Sequence, residues 1–345
     1  MLHLSKKHLV LVAGLVAAMT AVSEAALAQK GNPLACAGQA GSLALPYQST
    51  VPAGYDHDRF DTEPKSLMFT YGPFTSSFET PDDDRTDSPY KGVPKWVAYE
   101  MRALLGEDGK PIHPQGAKRP TKWYELEDTA FLWSDKPDIR KRGIDPSYRG
   151  FAVLWNRGHM AARSHANRIA WQEGCNTHVF VNALPQFADM NQGDWLALEN
   201  YAIAAANKFG RVWTIAGPIF EPEREIDMIG APGTVPVAIP HALFKILAVE
   251  IGGKVEARAF IFPQADEDQR GVYRKCAGTP QAKYDLTRYA ATVSEVEQAT
   301  GLRFFNALPE PDRKRLDAKS ATGPWPMETR YYDDRCGGKG DDEDG

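Results

Sequence analysis

Cysteine is scarce in this chain: four residues in 345, and no two of them form a Cys-x-x-Cys pair. That leaves no support for a zinc ribbon or a dithiol redox motif. Histidine is also sparse, at eight. His165 follows His159 by six residues, which is neither the i,i+4 spacing of a helical zinc pair nor that of a zinc finger, and His165 reads as structural or solvated. No internal repeat is present, so a solenoid or propeller is excluded. The apolar run over residues 9–22 is too short for a spanning helix, and no other stretch is long and apolar enough to cross a bilayer. An excess of basic charge is missing too: 40 Lys and Arg stand against 45 Asp and Glu, a net charge of −5. A nucleic-acid partner rewards basic surfaces, so the overall balance counts against one unless the basic charge is local.

What is present begins at the N-terminus. Lys6 and Lys7 precede the apolar run, and Ala26-Leu27-Ala28 follows as a small-x-small cleavage site. The pattern predicts a secretory signal peptide over residues 1–28, a periplasmic or secreted product, and no membrane anchor after cleavage. Cleavage would leave 317 residues, enough for one large domain or two small ones, carrying 38 basic and 44 acidic residues and a net charge of −6. In an oxidising compartment Cys36, Cys175, Cys276 and Cys336 would form two disulfides, with three connectivities open. A Cys276–Cys336 bridge would tie the tail to the domain and leave Cys36–Cys175. The chain ends in an acidic segment, Asp333, Asp334, Asp341, Asp342, Glu343 and Asp344, that need not face a substrate. Arg157, Arg163 and Arg168 lie near His159 and would make a local basic cleft; for Arg163 and Arg168 an ordinary solvated face is an equal reading.

Periodicity divides the chain. Residues 29–87, rich in Pro, Gly, Ser and Asp, read as an irregular extension with one or two strands, one of them near 66–71, and a solvated turn at 81–85. Residues 94–105 read as a strand with Trp96, Ala98 and Tyr99 in the core, followed by a polar loop over 107–123. A short helix is expected over 164–171 and a buried strand over 178–184. From Asn191 onward Trp195, Leu198, Ala202, Ala205 and Phe209 recur at helical spacing, with Gly210 placed to stop the helix. Residues 211–216, 243–251 and 255–262 read as strands, the last two joined by a Gly252-Gly253 hairpin. The class is α+β: a central, mostly antiparallel sheet flanked by helices. From Pro309 the chain reads as a charged, loop-like tail, residues 311–345.

Two stretches carry chemistry. The first, Leu154-Trp155-Asn156-Arg157-Gly158-His159-Met160, sets an imidazole beside a guanidinium. A neutral imidazole takes a proton from water near pH 7, and a guanidinium holds an anionic oxygen. The second, Asn191-Gln192-Gly193-Asp194-Trp195-Leu196-Ala197-Leu198-Glu199, offers an amide oxygen and a carboxylate, donors suited to Mg²⁺. If Asn191 opens a helix, Asn191, Trp195 and Glu199 fall on one stripe. Taken alone, Asn191 reads more readily as a helix N-cap, Trp171 and Trp195 as core residues, and His241 and Lys245 as structural parts of a strand. His159 and Asn191, 32 residues apart and in this order, are a more specific signal than either alone.

In these motifs the chain resembles the DNA/RNA non-specific endonuclease family, which includes Serratia-type nucleases and mitochondrial endonuclease G. That family carries Asp-Arg-Gly-His, then Ser/Asn-x-x-Pro-Gln, then Asn-Gln-x-x-Trp-x-x-Leu-Glu. The corresponding segments are Asn156-Arg157-Gly158-His159, Asn182-Ala183-Leu184-Pro185-Gln186 and Asn191 to Glu199. The likeness continues through Ala216-Gly217-Pro218-Ile219-Phe220, Ile239 to Lys245 and Glu297 to Phe305, and begins near Lys95-Trp96-Val97-Ala98-Tyr99, so that it spans roughly residues 88 to 310. The resemblance implies a ββα-metal (His-Me finger) motif and a metal-dependent endonuclease acting on DNA and RNA with little sequence specificity, leaving 5′-phosphates. It implies His159 as general base, Asn191 as the ligand of Mg²⁺ (or Mn²⁺), Glu199 acting through a water, and Arg157 stabilising the pentacovalent phosphorus. Arg119 is the nearest candidate for the family's substrate-binding arginine; Asn156, Arg163 and Arg168 are further candidates for substrate contact. Two positions depart from the pattern. Asn156 stands where the family has aspartate, and Ile203 where it commonly has an arginine one turn after the glutamate. Two other functions remain open: a phosphodiesterase acting on small nucleotides, and a catalytically weakened nucleic-acid-binding protein of the same fold. The sequence is compatible with a homodimer and identifies no inhibitor protein.

Overall fold

A computed structural model describes residues 36, 50–78, 88–116, 119–120, 123–124, 144–151, 154–264, 285–318 and 323–333. The leader at 1–28, the turn at 81–85, Cys276, Cys336 and the acidic end from 334 lie outside the described residues.

The frame is a seven-stranded antiparallel sheet. Its strands are β1 (Leu67–Thr70), β2 (Thr75–Phe78), β3 (Trp96–Arg102), β6 (Arg211–Ile219), β9 (Ala242–Ile251), β10 (Lys254–Pro263) and β11 (Ala290–Ala291), adjacent in that order. A smaller pair, β4 (Trp155–His159) with β5 (Ala183–Phe187), and a short pair, β7 (Met228–Ile229) with β8 (Val237–Ala238), complete the strands. The helices are α1 (Arg163–Ala166), α2 (Trp171–Asn176), α3 (Leu196–Phe209), α4 (Val293–Thr300) and α5 (Glu310–Asp317). The fold is α+β, as the interleaving of strand and helix periods requires.

Alternation along the long strands sorts their side chains onto two buried faces. Val97, Tyr99 and Met101 of β3, Val212 and Ala216 of β6, and Leu243, Leu247 and Val249 of β9 pack on the face shared with α3. Trp96, Ala98, Trp213, Ile215, Phe244, Ile246 and Ala248 pack on the opposite face, where Val293 and Val296 of α4 and Leu316 of α5 cover them. Covering on both faces is why these strands read as nearly unbroken apolar runs. β9 turns into β10 through Gly252 and Gly253 at φ 57° and 75°, the two left-handed residues that a two-residue type I′ hairpin needs.

Several local expectations change in detail. The helix expected over 164–171 is two short helices, α1 and α2, separated because Ala170 is extended at φ −164°, ψ 155°. The strand expected over 178–184 is instead a 3-10 turn, Phe180–Asn182, leading into β5, and its residues are buried. The tail is not uniformly loop: Glu310–Asp317 is helical, and residues 323–333 dock on α3. Apolar anchors in a polar background explain this. Leu316 is buried against the sheet, and Trp325 is buried with its ring 5.5 Å from Phe209. Tyr201, Asn207 and Lys208 of α3 donate to the carbonyls of Trp325, Tyr331 and Pro326 at 3.2, 2.8 and 2.6 Å. Asp333, read as part of an acidic end, is buried and lies 3.6 Å from His113.

Cys36 and Cys175 form a disulfide across 139 residues. It joins the segment before β1 to α2, two residues ahead of Thr177-His178. β1 and β2 add a further link, because both extend the main sheet beside β3.

Candidate active site

β4 places the first motif. Its register with β5 sets Asn156 opposite Gln186, Gly158 opposite Leu184 and His159 opposite Ala183. Gly158 is required by close approach: a Cβ there would lie 2.1 Å from Gln186 Oε1 and 2.5 Å from Gln186 Cβ. Asn182 clamps the strand's end. Its Oδ1 accepts from Ala161 N–H at 2.8 Å, and its Nδ2 donates to the carbonyls of Ala161 and Thr177, both at 2.9 Å. Gln264 fixes the other side of β5 to the end of β10, donating to Pro185 O at 2.6 Å and accepting from Phe187 N–H at 2.9 Å.

The second motif does not open a helix at Asn191, as expected. One turn, Ala188–Met190, runs into a π-turn over Asn191–Trp195, whose helical geometry breaks at Gly193 (φ −113°, ψ −105°) before α3 begins. The insertion matters for register. In a regular α-helix eight intervals leave Glu199 well out of phase with Asn191, whereas one inserted residue makes the pair behave like positions seven apart, within about 20° of alignment. Asn191 and Glu199 consequently line one recess together with His159, Ala162 and Arg163. Tyr289, stacked on Phe262 at 4.2 Å, donates a short hydrogen bond to Asp194 and holds the π-turn in place.

His159 is 8% exposed, and its Nε2 has no hydrogen-bond partner among the described residues. Its ring packs 4.5 Å from Trp123 and edge-on at 4.7 Å from His178. Burial holds its pKa well below 6.5, and repulsion from His178 when that ring carries a proton, then from Arg119 and Arg163, adds to the shift. His178 is displaced the same way, chiefly by burial and then by Arg119 and Arg163. Its Nδ1 donates to Gly174 O at 3.2 Å, and its Nε2 is buried without a partner among the described residues. His57, away from this site, is also lowered by burial: its Nε2 donates to Gly72 O at 2.9 Å while its Nδ1 accepts from Glu100 N–H at 3.1 Å.

These three imidazoles make folding pH-dependent. Each is protonated in the unfolded chain below about pH 6.5 and neutral in the fold. The stability each contributes is complete above that value and is lost as pH falls below it, by up to about 1.4 kcal/mol per pH unit per histidine. Urea unfolding in EDTA is therefore expected to show a lower midpoint at pH 5.5 than at pH 7.5. Equal midpoints would contradict neutral burial.

The arginines separate. Arg163 lines the recess, and Arg119 is close enough to depress His159. Arg157 lies two residues before His159 on β4, on the same side of the strand, with its guanidinium 2.9 Å from Asp145 and over the Tyr148 ring at 5.4 Å. Arg168 does not join the recess. It is buried and donates to Arg102 O at 3.0 Å and to Asn207 at 2.6 Å, tying the loop after α1 to β3 and α3. Asn156 lies on the other side of β4, and its Nδ2 is buried without a partner among the described residues. Ile203 is fully buried in the core and does not line the recess.

Lys245 is the residue whose surroundings sequence reasoning missed. It is fully buried, 3.5 Å from Glu199 and 4.1 Å from the centre of the Trp195 ring. Its signal was available: a lysine in an apolar strand needs a counter-charge.

A sequence profile of the family described as DNA/RNA non-specific endonuclease matches residues 84–311, about two thirds of the chain. The chain belongs to that family. The mitochondrial nuclease EXOG of Danio rerio is 28% identical over 226 residues, 63% of this chain and 57% of that protein. The nuclease of Serratia marcescens is 29% identical over 177 residues, covering 50% of this chain and 59% of its own length. Nuclease C1 of Cunninghamella echinulata is 30% identical over 190 residues, 51% of this chain and 67% of its own. The endonuclease-family chain thus spans under two thirds of the EXOG and Serratia relatives it matches. A chain of the crystal structure of the EndoG/EndoGI complex superposes with a TM-score of 0.52 at 20% identity, covering 77% of this chain and 96% of that one; the two share a fold.

Among the described residues no group of three or more His, Cys, Asp and Glu is arranged as a metal cage. The recess still fits a hard cation. Asn191 supplies a neutral amide oxygen, Glu199 a carboxylate, and the remaining positions of an octahedral Mg²⁺ are commonly water.

Proposed function

We propose that this chain is an exported, metal-dependent endonuclease that hydrolyses phosphodiester bonds of DNA and RNA and leaves 5′-phosphates. The observation that carries the reading is the shared recess: a buried imidazole with an unpartnered Nε2, an amide, a carboxylate and an arginine meet in one place. The signal-like leader and the Cys36–Cys175 disulfide support export to an oxidising compartment.

In this reading His159, kept neutral by burial, takes the proton of a water as that water attacks phosphorus. The bond from phosphorus to the 3′ oxygen breaks, so the phosphate stays on the 5′ side of the downstream product. Arg157 and Arg163 hold the non-bridging oxygens; for Arg157 this means sharing its guanidinium between Asp145 and the substrate. Asn191 would hold Mg²⁺ directly, with Glu199 acting through water, and the ion when bound supplies positive charge for the oxygens of the scissile phosphate. With contacts directed at phosphates, little discrimination by sequence is expected.

The test incubates the purified protein with plasmid DNA and with RNA, in Mg²⁺ or EDTA, beside Asn191→Ala. Degradation that requires the ion is expected. Asn191→Ala should raise the Mg²⁺ concentration for half-maximal rate about 100-fold, since loss of an outer-sphere partner alone costs about 10–100-fold. Cutting in EDTA would overturn the metal requirement. Intact nucleic acid with hydrolysis of bis(p-nitrophenyl) phosphate would move the reading to small phosphodiesters.

A further inference from the structure

Lys245 sits at the centre of the long strand β9, paired with Ala216 of β6 and Phe260 of β10. Alternation turns its side chain to the α3 face of the sheet, together with Tyr99 of β3, whose phenol interacts with Thr214 of β6. That face is otherwise apolar. An ammonium there loses its hydration, and compensation must come from groups fixed within reach. Two are in place on the π-turn and α3: the Trp195 ring below Nζ and the Glu199 carboxylate beside it, four residues apart in sequence. The backbone of Glu199 is held as well. His165 Nε2 donates to Glu199 O at 3.1 Å, which leaves His165 Nδ1 to accept from the Tyr99 hydroxyl at 2.9 Å.

From this geometry we infer that Lys245 is a positioning residue: its side chain fixes the Glu199 carboxylate toward the recess that Glu199 shares with His159 and Asn191. The inference rests on the endonuclease reading and on the part given there to Glu199. A buried cation on a central strand narrows the range of rotamers open to the carboxylate beside it. Lys245 itself does not line the recess, so substrate contact is not its role.

A double-mutant cycle separates positioning from mere packing. Steady-state kcat and KM on a defined duplex at saturating Mg²⁺ are measured for the wild type, Lys245→Met, Glu199→Gln and Glu199→Gln/Lys245→Met, with Tm alongside. Lys245→Met is expected to lower kcat about 30-fold with KM changed less than about threefold. In the Glu199→Gln background the same change should alter kcat less than about threefold, because the carboxylate it orients is gone. The double variant should melt above Lys245→Met, since it buries no unpaired charge. Lys245→Gln, which keeps an N–H donor for Glu199, should recover part of the lost kcat. Equal losses in both backgrounds, or a Lys245→Met enzyme with wild-type kcat, would overturn the inference. Should Lys245→Met fail to fold, the double variant and Lys245→Gln decide: kcat of the double variant far below that of Glu199→Gln, or Lys245→Gln as active as wild type, overturns it. Wild-type kcat in Glu199→Gln would instead remove the role given to Glu199, and the inference with it.

Discussion

Replacing His159 with alanine is expected to lower kcat by about 10²–10⁴, the range lost with a general base, while KM for duplex DNA stays near its wild-type value. The expectation follows from three features of one side chain. No hydrogen bond to its Nε2 is made among the described residues, so none there fixes the ring's tautomer. Burial and the cations around it keep the ring neutral well below pH 6.5, so it is a competent proton acceptor at neutral pH. It also lines the same recess as Asn191 and Glu199, where a phosphate would sit. The variant should fold, because alanine removes a costly buried polar group and leaves the Asn182 clamp on Ala161 intact. Single-turnover cleavage with the circular dichroism spectrum as a folding control checks this. A folded variant that cuts at the wild-type rate would mean that another group takes the proton.

The second large effect concerns stability. Reducing the Cys36–Cys175 bridge, or replacing both cysteines with serine, is expected to cost about 5 kcal/mol by the chain-entropy relation for a loop of 139 residues. Set against the roughly 5–15 kcal/mol typical of a folded domain, that is a large fraction. Both sulfurs are buried beside Trp171, so native-state reduction requires local opening. Urea unfolding of the double-serine variant beside the wild type, both without reductant, reads the loss free of any change at Cys276 and Cys336. A midpoint that does not move with the substitution would show that the bridge constrains little of the unfolded chain. Because α2 leads directly to His178, which packs on His159, reduced protein is also expected to lose activity before it loses its sheet.

The long strands were legible in the sequence for a simple reason. β3, β6 and β9 are covered on both faces, so each is a nearly continuous apolar run. β10 alternates charged and apolar residues over its first half, and Gly252-Gly253 marks the turn between β9 and β10. The family was legible through the motifs around His159 and Asn191. Other features depend on three-dimensional closure that local patterns do not encode. The π-turn at Asn191–Trp195 adds a residue that no hydrophobic period reports, and it puts Asn191 and Glu199 on the same line. Arg168 looked like part of a basic cleft because it is near His159 in sequence, yet its side chain leaves toward Asn207, 39 residues on. The partner of Lys245 lies 46 residues away on another element. The tail misled for the opposite reason: its charged composition masks Leu316 and Trp325, and two well-placed apolar side chains were enough to order it.

The borders of the main sheet bear on how the protein behaves at high concentration. One border is β1, four residues long; the other is β10, ten residues long, of which β11 covers only Ala259 and Phe260. Among the described residues the rest of that border has no strand beside it, and an open strand edge invites a second copy to add to it. Arg315 of α5 prevents this at the far end, donating to Val255 O at 2.7 Å and pairing with Glu256 at 3.2 Å. Alternate charges at Lys254, Glu256 and Arg258 make the remainder a poor template for self-association. Arg315 thus ties the helix of the C-terminal segment across that end of the strand, on the face of the sheet opposite α3.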